Sequence, residues 1–399
     1  MTRKLQRRSF NQLSVAAVAL SAAPLLSAES KTYRSAVIGH TGRGNYGHGM
    51  EDLWEDVPRT KLVAVADANE KTLAKKSKEL GVQGFADYRE MLHKIKPELV
   101  AVGPRWLDQH RDMVVACAEA GVKGIYLEKP MCRSLDEADQ MVKACEEHNV
   151  KLAMATQTRY SPQVKIISKM ISDGTLGDIV EIRARGKDDR RGGGEDLWVL
   201  GTHVLDLMSL FGGGAKNCYA QVYKEGKLVT KDDVYDGNEG IGPLAGDEVH
   251  AMYRLGIGIN GYWDSKKNRN GSPSRFGIRV QGTKGVVELY DTGSLPKTYY
   301  LPASSWSTGR SGKQWQQINS GGLGVPETIP SGGLHEGNVL AVKDLIQSIE
   351  EDRQPIANIY EARKSVEMIA GVFESHRLKR VVDLPLSNRK NPLTSADWK

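Results

Sequence analysis

Ser35-Ala36-Val37-Ile38-Gly39-His40-Thr41-Gly42-Arg43-Gly44-Asn45-Tyr46-Gly47 decides how this 399-residue chain folds. The short apolar run ending on Gly39 reads as a strand, and the glycines behind it as a tight turn. Two registers of that turn fit a dinucleotide-binding fingerprint. Gly42-x-Gly44-x-x-Gly47 matches it literally but starts three residues after the strand ends. Gly39-x-Thr41-x-x-Gly44 starts at the strand end and puts Thr41 where a second glycine normally lets the backbone approach a pyrophosphate. The second register, with Gly42 assisting, is preferred, and a helix is expected after the turn.

Outward from the turn, residues 61–66 form a second apolar run that ends on Asp67. An acid there accepts hydrogen bonds from ribose hydroxyls and repels a 2′-phosphate, which favours NAD; Arg43 keeps NADP open. Asp67 follows the turn by more than the usual ~20 residues, and polar residues 54–60 account for the excess. Helix patterns over residues 70–80 (with Gly81 as C-cap), 88–95 and 110–119 then alternate with strand patterns over 99–102, 124–127 and 151–155. The alternation predicts a doubly wound parallel sheet whose ligand lies at the carboxyl ends of its strands. Gly39, Asp67, Pro104 and Lys129 all fall at such ends. Lys129, in Tyr126-Leu127-Glu128-Lys129-Pro130, is costly to desolvate unless its cation meets a cofactor or a substrate oxygen. A lysine that simply reaches solvent would leave the same pattern.

Arg7-Arg8-Ser9-Phe10, the weakly apolar residues 15–26 and Ser27-Ala28 resemble a twin-arginine export signal over residues 1–30. Gln6 and Asn11-Gln12 depart from the usual pattern, and Leu26 obscures the cleavage point. The apolar run is too short and too rich in Ala and Ser for a stable bilayer span. A periplasmic, folded holoprotein is the expectation. The formal charge of +6 falls to +2 without Arg3, Lys4, Arg7 and Arg8, which gives no case for nucleic acid. The cluster Arg183, Arg185, Lys187, Arg190, Arg191 is interrupted by Asp188 and Asp189, reading as a salt-bridged or substrate-facing loop. Cys117, Cys132, Cys145 and Cys218 show no paired spacing and are expected reduced and mostly buried. Nine histidines show neither H-E-x-x-H nor clustered acids, so no metal is expected. Beyond the signal the chain is too long for one comfortable core, and two domains are expected, over residues 31–155 and 156–399.

Taken in order, the glycine turn, Asp67, the segment from Pro104 to His110, Glu128-Lys129-Pro130 and Gly201-Thr202-His203-Val204-Leu205-Asp206 resemble the glucose-fructose oxidoreductase, inositol dehydrogenase and rhizopine-catabolism (Gfo/Idh/MocA) family. In the second half, Gly282-Thr283-Lys284-Gly285 with residues 286–289, the closing helix over 361–375 and residues 381–386 are similar to that family's sheet domain and terminal segment. The resemblance implies an N-terminal Rossmann domain and a C-terminal α/β domain with an open, mainly antiparallel sheet that often forms a homo-oligomer interface. It also implies hydride transfer between NAD and a sugar, polyol or cyclitol hydroxyl. Cofactor contacts would come from the turn (Gly39, Thr41, Gly42, Arg43, Gly44), from Asp67, from Pro104, Trp106 and His110, and from Glu128 and Lys129. Trp106 would cover the cofactor edge, unless it belongs to the core.

Hydride loss from a carbinol needs a proton acceptor and a cation near the oxygen, and Lys129 and His203 fit those roles. The family usually has Asp four residues before the histidine; here that position is Val199. Glu195 and Asp196 are candidate substitutes or substrate contacts, or else solvated acids beside Gly192-Gly193-Gly194. His203 also reads as a hydrogen-bonded core histidine. Asp206, three residues on, faces the same helix side and is expected to orient the imidazole, or to form a structural ion pair. Arg159 and Tyr160, after the strand over 151–155, are candidate substrate ligands or interdomain packing. Residues 301–333, rich in Gly, Ser and Pro with Trp306 and Trp315, suggest a substrate lid, an oligomer arm or a surface excursion. A hydrolase or epimerase that returns its hydride to the same bound NAD, and a noncatalytic sugar-binding protein motivated by Val199, compete with the dehydrogenase reading. The particular sugar is not written in the sequence.

Overall fold

The computed structural model describes residues 31–269, 271, 274–304 and 309–398; Arg7, Arg8, the rest of the expected signal and Trp306 lie outside the described residues. Six strands, β1 (Tyr33–Gly39), β2 (Thr60–Asp67), β3 (Gln83–Phe85), β4 (Leu99–Val102), β5 (Gly124–Leu127) and β6 (Lys151–Met154), make a parallel sheet in the order β3-β2-β1-β4-β5-β6. β4 and β5 are buried at every residue, as strands covered on both faces must be, which is why they read as continuous apolar runs. The helices Glu70–Leu80, Tyr88–Ile95 and His110–Glu119 stand where the 3.6-residue periodicity puts them. The first is capped by Asn69, which accepts from Thr72 N, and closed by Gly81 at φ +64°. Strand order reverses between β1 and β4, so the carboxyl edge opens a crevice there.

The expected helix after the glycine turn is not formed. Turns and one 3₁₀ turn at Leu53–Glu55 replace it. Asn45, Gly47 and Gly49 have φ of 54°, 65° and 79°, left-handed values that interrupt a right-handed helix before it can propagate. The crevice therefore lacks the helix N-terminus that usually faces a pyrophosphate.

The second half of the chain builds a mixed sheet around Ile179–Arg185, which pairs antiparallel with Gly277–Gly282 and parallel with Asn260–Lys266. Beyond Asn260–Lys266 come Glu248–Leu255, Ala215–Lys224 and Val382–Asp383; beyond Gly277–Gly282 come Val286–Tyr290, Lys297–Leu301, Gln316–Asn319 and Gly322–Leu323. Alternate residues of Glu248–Leu255 are buried, the pattern of a sheet covered on one face. Helices Thr202–Gly212 and Ile359–Leu378 pack on the sheet. Of the segment over 301–333, the described part forms an edge hairpin that lengthens the sheet. Helix Leu334–Glu350 then returns to the parallel sheet, where Tyr126 OH donates to Asn338 Oδ1 at 2.7 Å. A Cβ on Gly124 would lie 2.8 Å from Ile349 Cδ1, so a larger residue there would have to displace the Ile349 and Leu99 side-chain ends. All four cysteines are buried and unpaired. Among the described residues no helix is long and apolar enough to cross a membrane.

Candidate active site

Lys129 leaves the end of β5 and enters a cavity of about 190 Å³, where His203, from the first turn of helix Thr202–Gly212, also lies. Lys129 is 6% exposed and His203 5%. Burial lowers the Lys129 pKa below the ordinary lysine value, opposed by Glu128. Burial, reinforced by the Lys129 and His48 charges, pushes His203 well below the ordinary histidine value, so its neutral form is favoured. Lys129 Nζ donates to the backbone carbonyl of Val199 at 3.1 Å. Residues 197–201 form a π-helical turn, and it is this turn that presents the Val199 carbonyl to the cation.

Glu128 is completely buried beneath this pair. Its Oε1 accepts from Lys129 N at 3.0 Å, and its Oε2 lies 3.0 Å from His48 Nδ1 and accepts from His48 N at 3.2 Å. Burial alone would raise its pKa, but His48, Lys129 and His110 together hold it below the ordinary glutamate value. Glu128 thus ties β5 to the glycine-rich segment. A Cβ on Gly47 would lie 2.4 Å from Glu128 Oε2, which fixes glycine at that position.

The turn itself is knotted to its neighbours. Asp67 Oδ1 accepts from Thr41 N (3.0 Å) and Asn69 N (2.9 Å), and Oδ2 accepts from Thr41 Oγ1 (2.6 Å) and Thr41 N (3.2 Å). A carboxylate offers about four lone-pair sites, so the turn already engages this group. Arg43 pairs with Asp108 and its guanidinium lies 4.3 Å above the Trp106 ring, while His40 Nδ1 sits 2.6 Å from Gln109 Oε1. Trp106 therefore stacks on Arg43. Gly42, at φ +90° with no atom within 4 Å of a notional Cβ, is the open point of the turn. His110 bridges the carbonyls of Pro104 (2.6 Å) and Pro130 (3.0 Å), joining the segments after β4 and β5.

Several expected site residues point elsewhere. Asp206 does not meet the imidazole: its Oδ1 accepts from Arg159 Nη1 at 2.7 Å, and His203 Nδ1 is buried without a hydrogen-bond partner. Asp206 instead meets Arg159, whose Nη2 also reaches Glu361 Oε2 at 3.3 Å. Burial pushes Asp206 up to about 6 against the pull of Arg159. Arg159 is spent in these ion pairs, and Tyr160 OH accepts from Ala357 N at 3.3 Å, so both lie in packing rather than in the cavity with Lys129. Asp196 is buried against Ser265 Oγ (2.5 Å) and Asp188 N (3.1 Å), where desolvation raises its pKa. Glu195 Oε2 accepts from Asn238 Nδ2 at 3.0 Å. In their place the cavity gathers His48, Arg105, Gln157, Arg191 and Glu239. Arg105 directly follows Pro104 at the β4 end, the one signal that would have marked it.

The residues fit a dinucleotide along the crevice. Among the buried polar atoms without a protein hydrogen bond are Arg43 Nε and Asp108 Oδ1 near the turn, Thr156 Oγ1 and Gln157 Oε1 after β6, and His203 Nδ1. A nicotinamide amide and ribose hydroxyls are the kind of groups that satisfy such atoms. The open backbone at Gly42 would let the ligand's pyrophosphate approach the turn beside them, and Lys129 would face its reacting end.

Comparison with known proteins agrees with this architecture. Residues 33–156 match the oxidoreductase family, NAD-binding Rossmann fold, and residues 168–384 match that family's C-terminal alpha/beta domain. The chain belongs to the Gfo/Idh/MocA oxidoreductase family. It is 25% identical over 249 residues to levoglucosan dehydrogenase from Pseudarthrobacter phenanthrenivorans, covering 56% of this chain and 63% of that protein. It is 29% identical over 152 residues to 2,7-anhydro-N-acetylneuraminate hydratase from Mediterraneibacter gnavus, covering 38% of each. The matched stretches thus span less than two thirds of these curated relatives. Among solved structures, levoglucosan dehydrogenase in complex with NADH and levoglucosan superposes with a TM-score of 0.72 at 19% identity, covering 89% of this chain and 100% of that one.

Proposed function

We propose that this Gfo/Idh/MocA family member is an NAD-dependent dehydrogenase acting on a hydroxyl of a sugar, polyol or cyclitol. The observation that carries the reading is the meeting of Lys129 and His203 in one buried cavity at the carboxyl edge of the parallel sheet. NAD, when bound, supplies the hydride acceptor. The remaining work belongs to the chain. Lys129, steadied by the Val199 carbonyl, stabilises the developing alkoxide, because a cation in a desolvated pocket acts far more strongly than in water. His203, kept neutral by burial, takes the hydroxyl proton. Glu128 fixes the Lys129 backbone.

A relative named as a hydratase motivates a second reading, in which the sugar is oxidised only transiently and the hydride returns. The dinucleotide would then end each cycle in its starting redox state. Around this centre, we place export through Arg7 and Arg8, a domain division near residue 155, and pairing of the open sheet face with a second copy. That open face carries alternating charges, with Arg183 against Glu181 and Arg185 against Asp264, a lattice that suits a self-complementary contact. The dinucleotide assignment is tested by mass spectrometry of small molecules released from the purified protein, and by titration of stripped protein with NAD and NADP. Tighter binding of NAD is expected. Absence of either dinucleotide, with no affinity for both, would remove the reading.

A further inference from the structure

The Lys129 cavity does not end at the chemistry. Lys187, Phe276 and Asp291 line it and also line a neighbouring cavity of about 550 Å³, so the two adjoin. The first is smaller than the ~300–1,000 Å³ that ordinary ligand sites occupy, while the second falls within that range. Charge and shape in the outer cavity are consistent with one ligand class. Lys187, Arg275 and Lys297 contribute cations, against Asp291 alone among the acids of its lining, and Phe276, Tyr290 and Tyr299 contribute flat rings.

The pairing of those cations separates fixed from available charge. Arg275 is held by Asp188 Oδ2 at 2.8 Å, and in the inner cavity Arg191 is held by Asp189 at 2.7 Å. Arg105 lies 4.0 Å from Glu239, a loose contact. Lys187 and Lys297 are exposed, and no hydrogen bond or ion pair holds either ammonium among the described residues. Two unneutralised lysines flanking a path that leads inward to Lys129 favour anions, and aromatic walls favour the apolar faces of sugar rings.

We propose that the two cavities form one cleft for an acidic oligosaccharide, its terminal residue at Lys129 and His203 and the anionic groups of the next residues met by Lys187 and Lys297. The inference rests on the dehydrogenase reading only for which end of the ligand lies inside. Carboxylate and sulfate ester are two chemistries that supply such a charge on a glycan. Either meets a lysine ammonium, as a point charge rather than through a planar fork.

The test uses the NAD-loaded protein and calorimetric titration with a uronate trisaccharide, a sulfated trisaccharide, the neutral trisaccharide and the uronate monosaccharide. At least one charged trisaccharide should bind about tenfold or more tightly than the neutral one and the charged monomer, with the gap narrowing at high salt. Lys187→Met with Lys297→Met should cost the charged trisaccharide about two- to fivefold per lysine and leave the neutral one unchanged. Equal binding of charged and neutral trisaccharides, no advantage over the monomer, equal losses for both ligands in the double variant, or no binding of either charged trisaccharide would each overturn the proposal. Nicotinamide absorbance in the same samples separates the two readings. Reduction by neutral sugars at the same rate as by acidic ones overturns the acidic preference and leaves the dehydrogenase standing. Selective binding of a charged trisaccharide without any reduction supports the cleft and counts against the hydride site.

Discussion

At the residue scale, chemistry was most legible where a side chain sat at a strand end. Lys129 stands two residues past the end of β5, so its placement at the carboxyl edge follows from the alternation of elements, and His203 arrives at the same cavity from helix Thr202–Gly212. Asp206 reads as the imidazole's partner or as half of an ion pair, and Arg159 as a substrate ligand or as interdomain packing, because helix periodicity and strand-end position allow either; the structure pairs the two at 2.7 Å. Periodicity gives the face of a helix but not which of two buried partners a carboxylate meets. The environment of His203 gives a pH prediction. An ordinary histidine in the unfolded chain titrates near ~6.5, whereas burial keeps the folded imidazole neutral well below that. Between those values the unfolded state binds the extra proton, so stability falls as pH drops below about 6.5. His203→Asn should flatten the fall of unfolding free energy between about pH 6.5 and 5, by up to about 1.4 kcal/mol per pH unit. Denaturant titrations across that window would show it. An unchanged slope would mean that His203 is protonated in the fold.

At the element scale, the glycine turn departs from its expected form, and Asp67 explains how it holds without a following helix. The strand, the turn and the acid were all readable, but left-handed φ at Asn45, Gly47 and Gly49 is a backbone property that residue type only permits. Asp67 anchors the turn through Thr41 and Asn69. Asp67→Ser should therefore loosen the turn as well as relax the bias against NADP. Unsatisfied Thr41 and Asn69 amides predict a stability loss of about 1–3 kcal/mol. NAD affinity should fall in parallel. Calorimetric unfolding together with dinucleotide titration checks both, and a variant of unchanged stability would show that the carboxylate does not anchor the turn. Arg191 was marked by its basic cluster as salt-bridged or substrate-facing, whereas the cavity's His48 and Glu239 were less legible, because they come from irregular segments whose course only tertiary packing sets.

At the scale of the whole molecule, two α/β layers meet in the sequence order that the alternation of strands and helices predicts, and helix Leu334–Glu350 crosses back to cover β5 and β6. That return was not readable, since nothing local ties residue 338 to residue 126. The proposed export is tested at this scale too. Replacing Arg7 and Arg8 by Lys together should leave a longer, signal-bearing precursor in the cytoplasm, seen by fractionation and intact mass; equal periplasmic yield would exclude the twin-arginine route. The central claim is hydride transfer at Lys129, and a single-turnover experiment addresses it most directly. NAD-loaded protein is mixed with a panel of sugars, uronates and cyclitols while the absorbance of reduced nicotinamide is followed. Lys129→Met should keep NAD binding within about twofold and slow the reduction by about 10²–10³-fold, the scale of losing one preorganised electrostatic group. Reduction by Lys129→Met at the unmutated rate, on a sugar the unmutated protein turns over, would contradict the account.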